Sequence, residues 1–334
     1  MPDPPFSPSE TSGSPEFPKA RMGQESYKLR CLLGLCLLLL WIYYYQLETD
    51  TTPCFSIRTD TYGSWQRMQQ LRQAQLRAAC KRHGLWKSSI LPLPKEVARQ
   101  LLVEPNNRLL FCEVPKAGCS NWRRVLLLLA LDLSDWDPAE VEAGALHHTN
   151  LLQRLSSFQA PECDVVLRNY TSMLVTRHPL ERLVSAYRDK LLHSEPYYKQ
   201  VAARVRTRVR GSRDPKSQRN LTFPEFVTFV LRQPPAKLDV HWKPMSLLCS
   251  PCSVRYEVLI RHERMSSEAG HALSFLGIPL QGLFPSMKAH SGEKRTDDQL
   301  TRHYLGQLSP EQLSGLYRLY FLDFTLFGYH PLNL

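Results

Sequence analysis

Apolar and polar positions fall along this chain in blocks of different period, and the periods predict the elements. Cys31 to Tyr45 (CLLGLCLLLLWIYYY) has no polar face, which suits a helix wrapped in hydrocarbon rather than one with a side in water. Gln66 to Lys81 is the reverse, polar and helix-favouring with Met68, Leu71 and Leu76 as a thin apolar stripe, and it reads as a solvated helical spacer. Leu109 to Val114 and Met173 to Thr176 are short apolar runs of the kind that form buried strands. A helix follows each. The first is predicted from near Ser120 through about Leu131, with Trp122, Val125 and Leu126 to Leu129 turned inward. The second starts at Pro179 and carries Leu180, Leu183, Val184, Tyr187 and Leu191 on one face, with Arg182, Ser185 and Asp189 opposite. Phe223 to Leu231, Val254 to Ile260 and Leu308 to Phe321 then read as helix, strand and helix. Strands alternating with helices predict an α/β domain built on a central parallel sheet, over residues 95–334. No internal repeat is visible.

The apolar block near the N-terminus sets the compartment. Residues 1–21 are rich in Pro, Ser and Glu and are expected to be disordered. Lys28 and Arg30 precede the block, Trp41 and Tyr43 to Tyr45 form an aromatic end, and Glu48 and Asp50 follow. With Leu29 and Leu47 included it reaches the roughly 17 residues a short spanning helix needs. YYYQLETDTT offers no small-residue cleavage site of the kind that ends a signal peptide. The reading is a signal anchor at 29–47, with a cytosolic tail at 1–28 and a lumenal stem at 48–94, as the positive-inside rule orients it. A short span suits the thinner membranes of the early secretory pathway and Golgi. Sequons at Asn169 and Asn220 fit a lumenal chain. So does the cysteine pattern: of nine cysteines, Cys31 and Cys36 lie in the apolar block and seven lie beyond it. Cys249-Ser-Pro-Cys252 could be a redox pair or half a zinc site, but no second pair stands at zinc spacing. A structural disulfide role is the better fit.

The net charge of +11 calls for acidic partners, among them nucleic acid, anionic lipid, acidic glycan and nucleotide. Two motifs narrow the choice. After the first strand, Pro115, Lys116, Ala117, Gly118, Cys119, Ser120 and Asn121 make a turn into a helix, an arrangement that aims backbone N–H groups and a helix dipole at one point, with a lysine beside it. Lys116 precedes the single glycine, so this is not the GxxxxGK[ST] loop of an ordinary nucleotide triphosphatase. After the second strand, Arg177 stands at the strand end and Ser185 two turns along the helix, so the pair can converge on a second anion. A nucleotide phosphorylated at both 5′ and 3′ positions needs two such sites, beyond the carboxyl ends of the strands.

These segments, CEVPKAGCSNW and RHPLERLVSAYRDKL, resemble the two cofactor motifs of the Golgi carbohydrate sulfotransferases, of the chondroitin, dermatan and N-acetylgalactosamine 4-O-sulfotransferase type. His241-Trp242 with LCSPC (248–252) and the ending YFLDFTLFGY (320–329) extend the likeness, which runs from about residue 95 to the C-terminus. It implies a P-loop-like α/β fold and transfer of a sulfuryl group from 3′-phosphoadenosine 5′-phosphosulfate to a sugar hydroxyl, without a metal. By matching motif, Pro115 to Asn121 would hold the 5′-phosphosulfate. Arg177, His178, Pro179, Leu180, Glu181, Arg182, Leu183, Val184 and Ser185 would hold the 3′-phosphate. The chain departs from its relatives at His178, where an acidic residue is usual, at Leu180, where an aromatic is, and at Arg261-His262, where a Lys-Phe pair precedes the glutamate. These departures bear on acceptor choice more than on reaction class.

Lys116 would neutralise charge building on the leaving phosphate. A base must take the acceptor's proton, and His241 is the candidate, with His147, His148 and Glu113 as rivals. Arg204, Arg206, Arg208, Arg210 and Arg213 form a basic run that is either a solvated face or a grip on an acidic glycan. The expected acceptor is N-acetylgalactosamine at O4, in chondroitin, dermatan or N-glycan chains, and not nucleic acid. Two other functions compete. Asp135-Trp136-Asp137 resembles the metal-binding triplet of a Golgi glycosyltransferase, although it precedes a helix start at Pro138, where acidic residues usually cap. An anchored glycan binder that has kept the fold without catalysis is the other.

Overall fold

In a computed structural model of the 334-residue chain, the described residues are 62–87, 92–133, 137–141, 151–192, 196–211, 220–278, 284–285 and 295–332. The apolar block at 29–47 lies outside them, and among the described residues no helix is long and apolar enough to cross a membrane. In chain order the elements are α1 (Tyr62–Arg82), α2 (Lys95–Ala98), β1 (Leu101–Glu104), β2 (Leu109–Cys112), α3 (Cys119–Ala130), β3 (Gln153–Arg154), α4 (Ala160–Asn169), β4 (Thr171–Thr176) and α5 (Pro179–Leu191). There follow α6 (Pro196–Arg210), α7 (Phe223–Leu231), α8 (Met245–Cys249), β5 (Val258–Arg261), α9 (Met265–Phe275), α10 (Asp298–Leu305), α11 (Pro310–Leu319) and α12 (Phe321–Phe327).

The strands form one five-stranded sheet in the order β3-β1-β2-β4-β5. β2, β4 and β5 are parallel, with Cys112 beside Leu174 and Thr176 beside Arg261. β1 runs antiparallel to β2 and to β3, so the sheet is mixed rather than wholly parallel. The cause is a hairpin at Pro105-Asn106-Asn107-Arg108, which the apolar pattern alone did not reveal. The buried Glu104 carboxylate accepts from the amides of Asn106 and Asn107, both at 2.9 Å, and from the Asn107 side chain at 3.0 Å, while Arg108 takes a left-handed φ of 51°. A carboxylate that satisfies successive turn amides fixes the reversal that a proline after the strand begins. The strand foreseen over Val254 to Ile260 shortens to β5, and the helix foreseen over Leu308 to Phe321 divides into α11 and α12.

α1 is a helix, as its composition predicts, but not a solvated spacer. It buries Trp65, Gln69, Leu76, Ala79 and Cys80, and it covers the outer edge of β5, which would otherwise present unpaired backbone groups. Gln69 acts as a substitute strand: its Oε1 accepts from the Leu259 amide at 2.8 Å and its Nε2 donates to the Leu259 carbonyl at 3.1 Å. Arg72 donates to Glu268 through both terminal nitrogens, at 2.5 and 2.7 Å. Two disulfides, Cys80–Cys252 and Cys112–Cys249, fasten α1 and the end of β2 to one segment. The CxxC cysteines therefore bond outward to separate partners, as neither a redox pair nor zinc ligands would. Among the described cysteines, Cys119 and Cys163 remain free.

One apolar core fills the space around the sheet, α1, α3 and α9. A second joins α5, α6, α7, α11 and α12, and includes Trp242 from the loop before α8. Leu180, Leu183, Val184, Tyr187 and Leu191 enter it as their spacing predicts.

Replacing Gln69 by leucine should strand the Leu259 amide in a buried position, at a cost of about 1–3 kcal/mol, while the Leu259 carbonyl keeps its bond from Arg72 at 2.5 Å. A urea midpoint equal to that of the unsubstituted protein would show that the edge of β5 does not depend on this amide.

Candidate active site

The three parallel strands end side by side, and the residues just past each end face one another. β2 leads into Glu113-Val114-Pro115-Lys116, β4 into Arg177-His178 and β5 into His262-Glu263. The first turn is tight because Lys116 (φ 68°) and Gly118 (φ 82°) both take left-handed conformations. At Lys116 this stores on the order of 1 kcal/mol of strain, since a side chain is present. At Gly118, which caps the N-terminus of α3, a Cβ would stand 2.9 Å from Met265 Cε and 3.7 Å from a His262 ring carbon. The first amides of α3, those of Cys119 and Ser120, have no carbonyl a turn back within the helix to bond. They are the donors an anion would meet. Ala117 is buried beneath the turn and Ser120 is half-buried at its rim. The Asn121 side chain donates to the Pro285 carbonyl at 3.2 Å.

The two sequence motifs are in direct contact. Arg177 donates to the carbonyl of Lys116 at 2.9 Å and to that of Thr296 at 2.8 Å, and its Nε lies 3.6 Å from Glu181. Lys116 Nζ lies 3.0 Å from Asp189 of α5, and Lys190 shares that carboxylate at 3.3 Å. Arg182 is the largest departure from expectation. It lies on the face opposite the helix's core residues, yet it is 1% exposed and donates to the carbonyls of Pro115 at 2.8 Å, Lys243 at 2.7 Å and Val240 at 2.7 Å. The face bearing Arg182, Ser185 and Asp189 looks toward the Lys116 turn and the 240–243 loop rather than toward water. Ser185 is half-buried on it.

The rest of the second motif is support. Pro179 begins α5, and Leu180, Leu183 and Val184 are core. His178 donates its backbone N–H to Glu263 at 2.6 Å, and its ring packs edge-on against Phe324 and Tyr329. Two of the family departures, His178 and Leu180, thus sit in buried packing. The third is different: His262 lies over Gly118, and its Nε2 is 2.9 Å from Arg295 Nη2.

The electrostatics describe an anion site. Burial pushes the Lys116 pKa down from the usual lysine range, with Asp189 pulling it back. Burial lowers Arg177 to about 10, so it remains a cation at neutral pH, and Lys116 is ion-paired with Asp189. His262 is held well below its ordinary value by burial and by the charges of Arg177, Arg295 and Lys116. Those three cations surround one neutral imidazole. Burial raises the Cys119 thiol, so it brings no negative charge into the turn.

His241 approaches this turn by two routes. Arg182 holds its loop against Pro115, and Tyr198 places its hydroxyl 2.8 Å from His241 Nδ1 while Lys190 lies over the Tyr198 ring at 5.1 Å from its centroid. Lys190 shares Asp189 with Lys116, so contacts run unbroken from Lys116 to His241. Glu113, a rival base, is clamped by Arg123 at 3.0 Å and Arg154 at 2.8 Å. Burial raises its pKa, and the two guanidiniums more than offset that to hold it low. His147 and His148 lie outside the described residues. Asp137 caps the turn of helix at Pro138–Glu140 by accepting from Ala139, while Asp135 and Trp136 lie outside the described residues. Among the described residues no group of His, Cys, Asp and Glu is gathered as a metal would need. Asn169 and Asn220 are exposed. Asp189, Glu263, Arg295 and Thr296 joined the site without being predicted there; of these, only Asp189 shared a helical face with a predicted residue.

Comparison with known proteins agrees with this geometry. Residues 99–330 match the family described as "Sulfotransferase family". Mouse carbohydrate sulfotransferase 8 is 38% identical over 288 residues, covering 84% of this chain and 68% of that protein. Human carbohydrate sulfotransferase 8 is 38% identical over 276 residues, 80% of this chain and 64% of that protein. Zebrafish carbohydrate sulfotransferase 14 is 33% identical over 270 residues, 78% and 71%. The aligned part thus spans about two thirds of these relatives' length. No solved structure matches.

Depressed pKa values at His262 and His178 make the folded state bind protons more weakly than the unfolded state does. Stability present above about pH 6.5 should therefore fall as the pH drops, by up to about 1.4 kcal/mol per pH unit for each such group. Thermal melts at pH 7.5 and 5.5 should differ less for His262→Gln than for the unsubstituted protein. An identical difference would mean that His262 is not held neutral.

Proposed function

This chain belongs to the sulfotransferase family, as a carbohydrate sulfotransferase, and we propose that it moves a sulfuryl group from 3′-phosphoadenosine 5′-phosphosulfate to a sugar hydroxyl at the site built on Lys116, Arg177 and His241. The observation that carries this reading is the Arg177 guanidinium on the Lys116 carbonyl, which joins the two motifs. The residues fit such a donor. Gly118 leaves the close approach that a Cβ would narrow, and Lys116, Arg177 and Arg295 gather positive charge around it.

When bound, the donor supplies the sulfuryl group and a leaving nucleotide. Lys116 holds a cation at the turn, where it offsets negative charge on the leaving side, and the first amides of α3 add their dipoles. Arg177 and Ser185 hold and orient the second phosphate. His241 accepts the proton of the attacking hydroxyl at Nε2. Much of the catalysis is positioning, as in phosphoryl transfer.

For the acceptor we infer N-acetylgalactosamine, at O4, within chondroitin, dermatan or N-glycan chains. Arg204 and Arg208, exposed on the helix α6 whose first turn carries the Tyr198 that meets His241, suit an acidic glycan, whereas Arg210 is committed to Glu225 at 2.7 Å. A signal anchor at 29–47 would place this domain in the Golgi lumen, where exposed Asn169 and Asn220 could carry glycans.

Lys116→Ala and Arg177→Ala should each weaken binding of adenosine 3′,5′-bisphosphate by roughly ten- to a hundredfold, measured by calorimetry, as loss of a charged hydrogen bond requires. Binding unchanged in the double variant would refute the site. A glycan panel offered with labelled sulfate donor should acquire label at O4 of N-acetylgalactosamine, and label elsewhere would correct the acceptor. His241→Ala should lose turnover by about a hundredfold or more while still binding the bisphosphate.

A further inference from the structure

His241 does not stand alone, and its neighbours fix which of its nitrogens can take a proton. Its Nδ1 lies 2.8 Å from Asp239 Oδ1 and 2.8 Å from the Tyr198 hydroxyl. The same Asp239 oxygen accepts from the His241 backbone N–H at 2.9 Å, which locks the carboxylate to the ring. An unprotonated Nδ1 would set its lone pair against those of a carboxylate oxygen at 2.8 Å, so the proton belongs on Nδ1, donated to Asp239. Tyr198 is then left as a second acceptor, or with its own proton directed elsewhere.

We propose that Asp239 is the positioning residue of the reaction: it holds His241 in the tautomer with Nδ1 protonated, leaving the Nε2 lone pair free for the acceptor hydroxyl, and it stabilises the imidazolium that forms. The proposal rests on His241 being the proton acceptor. In the step it serves, the hydroxyl proton passes to Nε2 as the oxygen–sulfur bond forms. The bond from sulfur to the donor's phosphate oxygen breaks, and its electron pair leaves with the nucleotide. His241 then returns the proton to solvent.

The surroundings are consistent with a charged Asp239. Burial raises its pKa, but hydrogen bonds from His241 and the charge of Lys190 more than offset this and hold the carboxyl low. The groups facing the imidazole are Asp239 on its own loop, Tyr198 from α6, and Lys190 and Arg182 from α5. Lys190 acts across the Tyr198 ring and Arg182 through the Val240 carbonyl. Of these groups the Asp239 carboxylate is the nearest anion.

The test is the pH dependence of kcat for Asp239→Asn, with bisphosphate affinity measured alongside. The asparagine should lower kcat about tenfold or more and leave nucleotide affinity unchanged. It should also move the acidic limb of the profile to lower pH, because the imidazolium has lost its counter-charge. A residue that merely braced the loop would lower activity without moving the limb. Asp239→Glu should restore part of kcat and the position of the limb, which keeps the test usable if the asparagine variant folds poorly. Tyr198→Phe, which keeps the ring against Trp242, should leave the limb in place. A limb unmoved in Asp239→Asn, or moved equally in Tyr198→Phe, overturns the assignment to Asp239. Near-normal turnover in His241→Ala removes both this proposal and the reading beneath it, whereas an inactive His241→Ala beside a wild-type profile in Asp239→Asn removes this proposal alone.

Discussion

The structure around the site depends on one buried guanidinium. Arg182 has almost no contact with solvent, and a guanidinium out of water must bond its N–H groups or carry a penalty of several kcal/mol. It bonds them to three main-chain carbonyls, those of Pro115, Val240 and Lys243. Main-chain carbonyls cannot rotate away as side chains can. The donor turn, the first turns of α5 and the loop carrying His241 are therefore held at fixed separation by one planar group. Arg177 does the same one turn earlier, between Lys116 and Thr296. Arginine suits the task better than lysine, because its planar fork presents donors in several directions at once and stays charged even with its pKa lowered by burial.

The far side of this framework is fastened by different means. α1 seals the edge of β5 with a side-chain amide, and the two disulfides converge on the segment 249–252, at the end of α8. One of them begins at Cys112, the last residue of β2, immediately before the donor turn. Pinning that residue limits how far the turn bearing Lys116 can shift. Asp323 adds a further tie. Its carboxylate accepts from the amides of Met245 and Ser246 at 2.7 and 2.8 Å, capping α8 from α12. Rigid supports on both sides let a short turn carry a strained lysine.

What the sequence disclosed and what it withheld divide along physical lines. The strand, turn and helix at 109–130 and again at 171–191 were legible, because apolar period and the proline at 179 are local signals. β1 was not, since its four residues abut a proline and gain their identity only from pairing with β2. Gln69 looked like one more polar residue on a polar helix. Its role depends on Leu259, 190 positions away. The burial of Arg182 was illegible for a related reason. A helical wheel tells which residues share a face but not what covers that face, and here the cover is protein. Asp189, Glu263, Arg295 and Thr296 entered the site through contacts of 33 to 119 positions, which no window of local periodicity spans. His241 was chosen by resemblance, and the contacts from Lys116 through Asp189, Lys190 and Tyr198 give it a physical reason to be there.

The remaining question is how a pocket dense in positive charge folds before its ligand arrives. Asp189 answers for Lys116 and Lys190, and Glu181 and Glu263 raise the pKa of Arg177 against the effect of its burial. His262 supplies the other part by staying neutral, for a protonated imidazole there would add a fourth cation to Lys116, Arg177 and Arg295. A histidine at this place can present an unprotonated nitrogen to Arg295, whereas the phenylalanine that the resemblance leads one to expect there could accept no such hydrogen bond. An anion entering the turn would raise the proton affinity of His262, Lys116 and Arg177 together, so ligand binding and proton uptake are coupled by the same charges that assemble the site.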